Sequence, residues 1–311
     1  MKAIVGYDGF VGSNIVRKVK FDQLYNKANI EESYGSEPDL LIYAGVPAEV
    51  YYANKYPEKD LEIVNNAINN IKKIKPKKIV LISSVNVYPN NEQGDENKKV
   101  DLEDLEPYGK NRRILENWVK ENVKDYLIVR LPGLFGKGIK KNFIYDLINI
   151  TPSKLTENKI KELSTKNKNI LKYYHNNEDG FYVINDITIE ERKKLIEILN
   201  ELNFTALNFT DSRGMYQYFN LEYLWDIINK ALANNLRILN ISTEPFSINE
   251  LYNYLYNKDF DNKLNKEVAN YNMKTIHYEL FDGFDGYIMN KEQVMKEIKK
   301  FVEEEHEIIG I

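Results

Sequence analysis

The chain contains 311 residues, of which 43% are hydrophobic and 29% are charged, and this length suits a domain of about 150 residues plus a smaller lobe. A formal net charge of -4 argues against a nucleic-acid-binding protein, because such proteins carry a basic face. Cysteine is absent and the three histidines, His175, His277 and His306, are scattered, so the sequence excludes disulfides and cysteine nucleophiles and shows no metal-site spacing.

The first predicted elements are a strand at residues 1–5, a glycine loop at 6–12 and a helix at 13–18. No basic segment or apolar leader precedes the strand. The chain also has no stretch of about 18 continuous apolar residues, the length needed to cross a bilayer. The sequence therefore predicts a cytoplasmic protein with no membrane partner.

The loop at 6–12 has the order and spacing of a dinucleotide-binding site. Gly6 permits a tight turn, Gly9 lets the backbone approach a pyrophosphate, and Gly12 allows the helix to pack closely. The N-terminus of the following helix would face the phosphates. Asp8 argues the other way, because a carboxylate in this turn weakens anion binding unless its side chain points to solvent. A plain glycine-rich turn is the alternative interpretation.

The next elements alternate between strands and helices. The predicted strands are residues 21–26, 39–45, 77–84 and 125–130, and the predicted helical segments are 29–33, 60–74 and 108–122, with a polar loop at 89–106. This alternation is typical of a doubly wound α/β fold of the Rossmann type, with a parallel sheet and right-handed crossovers. Only the 26 residues 13–38 separate Gly12 from Asp39, too few for the usual strand, helix and strand, so we predict that one crossover is pruned.

Beyond Gly136 the chain becomes rich in lysine and asparagine, which indicates a smaller, mainly helical α/β lobe. Its predicted helices are residues 140–168 and 188–203. The elements predicted after them are a return to the main sheet at 216–220, a helix at 221–234, a second return at 236–242, a helix from 247, and a strand and helix at 287–305. The predicted division is a dinucleotide-binding domain at 1–141 with returning segments at about 207–242, and a substrate-binding lobe at 142–206 and 243–311.

Tyr108 and Arg112 carry the most direct chemical signal in the sequence. They lie at positions i and i+4 of a predicted helix and therefore share one face. A fixed positive charge beside a phenol stabilises the phenolate, so we expect the pKa of Tyr108 to lie below its free value of about 10. The pair would then serve as a proton-transfer device. An ordinary tyrosine and arginine on a helix surface are the alternative.

In combination, these motifs resemble the extended short-chain dehydrogenase/reductase family, which contains nucleotide-sugar epimerases, dehydratases and 4-ketoreductases. The resemblance spans nearly the whole chain. The matching segments, in order, are the glycine loop 6–12, the strand end 41–45, the serine pair Ser83-Ser84, the helix with Tyr108, and the strand 130–136.

The resemblance implies a set of site residues. Tyr108 would be the general acid/base, Ser84 would hydrogen-bond the reacting oxygen, and Arg112 stands where the family has lysine. NAD or NADP would be bound by Gly6, Gly9, Phe10, Val11, Gly12, Ala44, Gly45 and Arg112, and a nucleotide-sugar substrate by Asn86, Asn142 and Arg213. Helices equivalent to 60–74 and 108–122 often pair between subunits in the family, so a homodimer is the expected assembly.

Departures from the family pattern narrow the reaction. Val85 and Asn86 stand where family dehydratases place an acidic pair, which argues against a 4,6-dehydratase. Arg112 keeps the charge of the family lysine but presents a broader, planar group. The leading hypothesis is hydride transfer between a nicotinamide ring and a nucleotide sugar, by an epimerase or a reductase. The alternative is a binding or sensing protein that has lost turnover, suggested by Arg112, Asp8 and the pruned crossover.

Overall fold

The structure is a computed structural model and describes residues 1–89, 93–177 and 180–309. The strands are β1 (Lys2–Val5), β2 (Gln23–Tyr25), β3 (Leu40–Tyr43), β4 (Lys78–Ser84), β5 (Asp125–Leu131), β6 (Gly133–Phe135), β7 (Lys154–Thr156), β8 (Tyr174–Asn176), β9 (Phe181–Ile184), β10 (Met215–Tyr216), β11 (Tyr218–Asn220), β12 (Ile238–Asn240) and β13 (Phe246–Ser247). The α-helices are α1 (Phe10–Lys18), α2 (Val50–Lys55), α3 (Pro57–Ile74), α4 (Pro107–Asn122), α5 (Phe143–Ile148), α6 (Glu157–Lys166), α7 (Ile189–Glu201), α8 (Leu224–Ala233), α9 (Ile248–Tyr256) and α10 (Lys291–Ile309).

Two compact units make up the chain. Unit 1 consists of Met1–Gly138, Met215–Ser247 and Val268–Met295, and unit 2 consists of Ile139–Gly214, Ile248–Glu267 and Lys296–Ile311. The first boundary lies close to the predicted division at residue 141. Unit 1, however, also takes in residues 243–247 and 268–295, which the sequence analysis assigned to the second lobe, and unit 2 takes in 207–214.

The centre of unit 1 is a six-stranded parallel sheet in the order β12-β5-β4-β3-β1-β2. Successive side chains of a strand point to opposite faces of the sheet, so the buried residues of β4 belong to two hydrophobic cores. Val80 packs in a cluster with residues of α1 and α8, whereas Ile79 and Leu81 pack in a cluster with residues of α3 and α4. Helices therefore cover both faces of the sheet, and the predicted doubly wound α/β fold is confirmed.

The connections around β2 are short. Helix α1 joins β1 to β2, but a single 3-10 turn, Ile30–Ser33, joins β2 to β3. In the complete Rossmann fold, a third strand lies outside the second one and forms the edge of the sheet. Here β2 is the edge strand of the sheet, so the crossover that the spacing predicted to be pruned is reduced to one turn.

The prediction that residues 216–220 return to the main sheet is wrong. Strand β10 pairs with β13 and strand β11 pairs with β6, in two small separate sheets. Pro132 explains the separation, since it has no N–H for the ladder and divides β5 from β6. The predicted strand at 236–242 does join the main sheet, as β12 beside β5.

The predicted helix at 140–168 is interrupted. Helix α5 ends at Ile148, strand β7 follows Pro152, and α6 begins after Thr156, whose hydroxyl accepts a 3.2 Å hydrogen bond from the Lys159 backbone N–H. Strand β7 belongs to an antiparallel three-stranded sheet with β8 and β9. The predicted tail strand near 287 is also absent from the described residues, where isolated bridges stand instead, and α10 follows.

The remaining predicted elements need only small changes at their ends. The loop predicted at 89–106 contains a 3-10 turn at Leu102–Asp104, and residues 90–92 of that loop lie outside the described residues.

Over the part of the chain that the structure describes, no helix combines the length and the apolar character needed to span a membrane.

Candidate active site

The glycine loop of unit 1 is closely packed on one side and open on the other. Gly6 has a positive φ of +86°, and a Cβ there would lie 2.5 Å from the Ala44 carbonyl oxygen. A Cβ on Gly12 would lie 2.0 Å from the Gly6 carbonyl oxygen, so the start of α1 needs a glycine to reach the loop. A Cβ on Gly9 would meet a single neighbour, Gly6 O, at 3.4 Å. The backbone at Gly9 is therefore open to a ligand, which fits the pyrophosphate of a dinucleotide.

The end of strand β3 lies against this loop. The Ala44 N–H donates a 2.9 Å hydrogen bond to Val5 O, and the backbone of Ala44 and Gly45 lies within 3 Å of a Cβ built on Gly6. The structure thus brings together two of the segments predicted to bind the cofactor. Phe10 and Val11, also predicted contacts, form the first turn of α1, where the backbone N–H groups at a helix start are available to an anion.

Asp8 contacts the turn that follows β2. Its side chain is exposed, and Oδ2 accepts a 2.8 Å hydrogen bond from Nδ2 of Asn26, just after β2. No acidic residue occupies the first turn of α1. Asp8 would therefore repel a phosphate most strongly at the β2 end of the loop.

Ser84 and Tyr108 meet at the end of β4. The Tyr108 hydroxyl lies near enough to the side chains of Ser84 and Arg112 for both of them to favour its ionised form. Ser84 Oγ also donates to Asn86 Oδ1 at 2.9 Å and accepts from the Asn86 N–H at 3.2 Å. An oxygen of a substrate placed here would meet a hydroxyl that can donate or accept and a phenol that can exchange a proton.

Gly109 is the reason that helix α4 can lie so close to Ser84. A Cβ at this position would be 1.9 Å from the Asn86 carbonyl oxygen, so a side chain is excluded. Asn54 fixes the start of the same helix, because its Oδ1 accepts a 2.9 Å hydrogen bond from the Tyr108 N–H. These contacts set the position of the Tyr108 ring.

Arg112 lies over the Tyr108 ring, with its Cζ 4.3 Å from the ring centroid. Its Nη1 and Nη2 bind the two carboxylate oxygens of Asp60 at 2.8 and 3.0 Å, and Nη2 also donates to Pro47 O at 2.7 Å. Only 4% of each side chain of the ion pair is exposed, so both charges are taken out of water. The cation that the sequence predicted beside the phenol is present, but it is shared with a buried carboxylate.

The predicted lowering of the pKa of Tyr108 is wrong. Burial raises the pKa of Tyr108 above its ordinary value of 10.0, and this effect outweighs the opposing effects of the Arg112 charge and of the nearby Ser84 side chain. The Asp60 carboxylate acts in the same direction as burial. At neutral pH the phenol is therefore protonated and is a proton donor.

The comparison with protein families decides the classification of the chain. The model of the NAD dependent epimerase/dehydratase family matches residues 3–170, more than half of the sequence. The chain belongs to this family. A comparison with curated proteins found no match.

Several solved structures share the fold of this chain at low sequence identity. A dTDP-4-dehydrorhamnose reductase from Bacillus anthracis in complex with NADP is 15% identical, with a TM-score of 0.61 and 97% of both chains covered. A UDP-N-acetylglucosamine 4-epimerase from Methanobrevibacter ruminantium is 12% identical, with a TM-score of 0.59 and coverage of 97% and 96%. A GDP-D-glycero-L-gluco-heptose synthase from Campylobacter jejuni, crystallised with NADPH, is 14% identical, with a TM-score of 0.58 and coverage of 97% and 98%.

A second buried network, which the sequence analysis missed, joins α4 to the sheet of this epimerase/dehydratase family member. The Glu116 carboxylate accepts hydrogen bonds from Ser83 Oγ at 2.7 Å and from Arg130 Nε and Nη2 at 2.9 and 2.7 Å. Arg130 Nη1 also donates to the Tyr88 hydroxyl at 2.6 Å. Burial raises the pKa of Glu116, but Arg130 and the other partners more than offset this, so the pKa lies below its ordinary value. The network fixes the helix of Tyr108 to the strand of Ser84.

Two of the residues predicted to bind substrate, Asn142 and Arg213, lie in unit 2. Asn142 Oδ1 caps α5 by accepting from the Ile144 and Tyr145 N–H groups at 3.0 and 3.3 Å. Arg213 forms an ion pair with Asp211, with distances of 2.9 and 2.7 Å, and this pair holds the pKa of Asp211 well below its usual range. Both side chains therefore have structural partners within unit 2.

Proposed function

We propose that this family member is an NAD(P)-dependent enzyme that acts on a nucleotide-activated sugar, as a 4-ketoreductase or an epimerase. The observation that carries the proposal is that Tyr108 lies against Arg112 and near Ser84, in the same unit as the open glycine loop. Family membership supports the cofactor class, and the reductase and epimerase structures of the same fold support the substrate class.

Tyr108 would exchange a proton with the reacting oxygen of the sugar, and Ser84 would hydrogen-bond that oxygen. Because burial keeps the phenol protonated at neutral pH, the free protein is in the form that gives a proton to a ketone oxygen. The nicotinamide ring supplies the hydride chemistry when the cofactor is bound. Asn86, which shares hydrogen bonds with Ser84, would help to keep the serine hydroxyl oriented.

The glycine loop would hold the pyrophosphate, and Ala44 and Gly45 would border the nicotinamide end of the cofactor. Arg112 would act mainly through Tyr108, because both terminal nitrogens of its guanidinium already bind Asp60 or Pro47. Its contact with the cofactor remains a prediction. So do the substrate contacts of Asn142 and Arg213.

The test has a binding arm and a turnover arm. The purified full chain is screened by thermal shift with NAD, NADP and a panel of UDP-, dTDP- and GDP-sugars, since a ligand at 100 times its Kd stabilises a protein by about 2.7 kcal/mol. Each combination that binds is then assayed for a changed sugar. A reductase oxidises one reduced cofactor for each sugar, whereas an epimerase changes the sugar with no net consumption.

The variant Tyr108→Phe separates catalysis from binding. We expect it to bind the cofactor like the wild type and to lose turnover by about 10² to 10⁴ fold, the usual contribution of a positioned proton donor. Tyr254→Phe, at an exposed tyrosine of α9, is the matched control and should retain full activity. If the wild-type chain binds the dinucleotide but turns over no nucleotide sugar, the proposal fails and a binding or sensing role replaces it.

A further inference from the structure

The carboxylate of Asp8 and the amide of Asn26 meet at the end of the edge strand β2. In dinucleotide-binding folds, an acidic residue about 20 positions after the glycine motif hydrogen-bonds the 2'-hydroxyl of the adenosine ribose. Asn26 stands at that distance from Gly6 and carries an amide instead. Its Nδ2 donates a 2.8 Å hydrogen bond to Asp8 Oδ2, so the glycine loop brings a carboxylate to the place where the acidic residue is missing.

This arrangement is fixed by hydrogen bonds of the turn after β2. Asn26 Oδ1 accepts from the Ala28 N–H at 2.9 Å, and the Asn26 N–H donates to Asn29 Oδ1 at 2.8 Å. The Asn26 amide therefore presents its nitrogen to Asp8. The other oxygen of Asp8, Oδ1, has no hydrogen-bond partner within the described ranges, and the side chain is exposed. One carboxylate oxygen is left to accept a hydrogen bond from a ligand hydroxyl.

We infer that Asp8, oriented by Asn26, makes this chain select NAD(H) over NADP(H); the inference rests on the proposed function. The free oxygen of Asp8 can accept a hydrogen bond from a ribose hydroxyl. A 2'-phosphate would instead place negative charge beside a carboxylate, which costs about tenfold in affinity. Two of the similar structures contain NADP or NADPH, and the inferred preference of this chain is for the other cofactor, NAD(H).

Lys27 is the cation that opposes this selection. It is exposed, it follows Asn26 directly, and it forms no ion pair with Asp8 in the described part of the chain. An ammonium group here could pair with a 2'-phosphate. Asp8 is tied to the turn by a hydrogen bond, whereas Lys27 is a flexible surface side chain, and we therefore assign the selection to Asp8.

The experiment measures the Kd of NAD and of NADP by titration calorimetry on the full chain, freed of any bound nucleotide. The wild type should bind NAD at least about tenfold more tightly than NADP. Asp8→Asn should bring the ratio of the two Kd values close to one, mainly by improving NADP binding. Asp8→Glu, which keeps the charge, should retain the preference. Glu31→Gln, an exposed acid on the turn between β2 and β3, is the control and should leave the ratio unchanged.

The outcomes separate the two claims. Equal or tighter binding of NADP by the wild type overturns the inference and leaves the proposed function standing. In that case, weaker NADP binding by Lys27→Ala would show that Lys27 binds the 2'-phosphate. An unchanged ratio in a folded Asp8→Asn variant also overturns it. If the folded wild type binds neither dinucleotide, the proposed function and the inference fall together.

Discussion

Arg112, which lies over the Tyr108 ring, forms a buried bidentate ion pair with Asp60, with N–O distances of 2.8 and 3.0 Å. Asn111 adds a third donor to the same carboxylate, at 2.9 Å. Removing two charges from water is expensive, and the attraction between them offsets that cost only when the remaining hydrogen-bonding groups are also satisfied. Asp60 meets this condition. The pair therefore holds the guanidinium in one place against the phenol, and Asp60 is a positioning residue.

The first prediction concerns Asp60→Asn. The change keeps the shape of the side chain but leaves the Arg112 charge buried without a counterion, so we expect a loss of about 3 kcal/mol in the free energy of unfolding. Urea denaturation at pH 7 measures it. Glu157→Gln, which breaks an exposed ion pair with Lys161, is the control and should cost less than about 1 kcal/mol. Similar losses in the two variants would show that the buried pair does not stabilise the protein.

The second prediction concerns Gly109→Ala. A Cβ at 1.9 Å from the Asn86 carbonyl oxygen must push α4 away from the turn after β4, so Tyr108 and Ser84 should separate. We expect at least about a hundredfold loss of turnover, since small misplacements of catalytic groups have effects of that size. Glu121→Ala, on the exposed last turn of the same helix, should leave turnover unchanged. Full activity of Gly109→Ala would contradict the role assigned to this contact.

The third prediction is a loss of stability at high pH caused by buried tyrosines. Burial raises the pKa of Tyr43 from 10.0 to about 12 and raises that of Tyr108 above 10. Between pH 10 and 12 the unfolded chain releases the Tyr43 proton and the folded chain keeps it, so the free energy of unfolding falls as pH rises. The raised pKa of Tyr108 acts in the same direction. Urea denaturation at pH 9 and 11 should give a smaller fall for Tyr43→Phe than for the wild type, by about 1 kcal/mol. For Tyr51→Phe, at an exposed position, the free energy of unfolding should fall between pH 9 and 11 by as much as for the wild type.

The main sheet and most of its helices could be predicted from the sequence, because their signals are local. Continuous apolar runs such as 79–81 mark buried parallel strands, and periodic helices separate them. Pairing between distant segments has no such signal. The sequence at 216–220 predicts a strand of the main sheet. Pro132, however, ends β5 before this region can pair with it, so the short strands β10 and β11 pair with β13 and β6 instead.

The sequence could predict that Tyr108 and Arg112 lie side by side, but it could not predict their electrostatics. The spacing of Tyr108 and Arg112 gave their shared face, whereas the depth of burial that decides the direction of the pKa shift depends on packing against other elements. Asp60, by contrast, does have a signal in the sequence. It lies on the same helical face as Val64 and Ile71, and a carboxylate on an apolar stripe needs a buried partner.

The last prediction concerns Asp146 on helix α5 of unit 2. Burial raises the pKa of this half-buried carboxyl from 3.8 to about 7. Its folded pKa is therefore above its unfolded pKa, and ionisation destabilises the fold progressively as pH rises from about 4 to 7. Asp146→Asn has no charge to bury, so it should be more stable than the wild type by about 2 kcal/mol at pH 8 and nearly equal to it at pH 4. Urea denaturation at both pH values measures the difference, with the exposed Asp186→Asn as the control. A gain of the same size at both pH values would mean that packing, and not the burial of a charge, sets the effect.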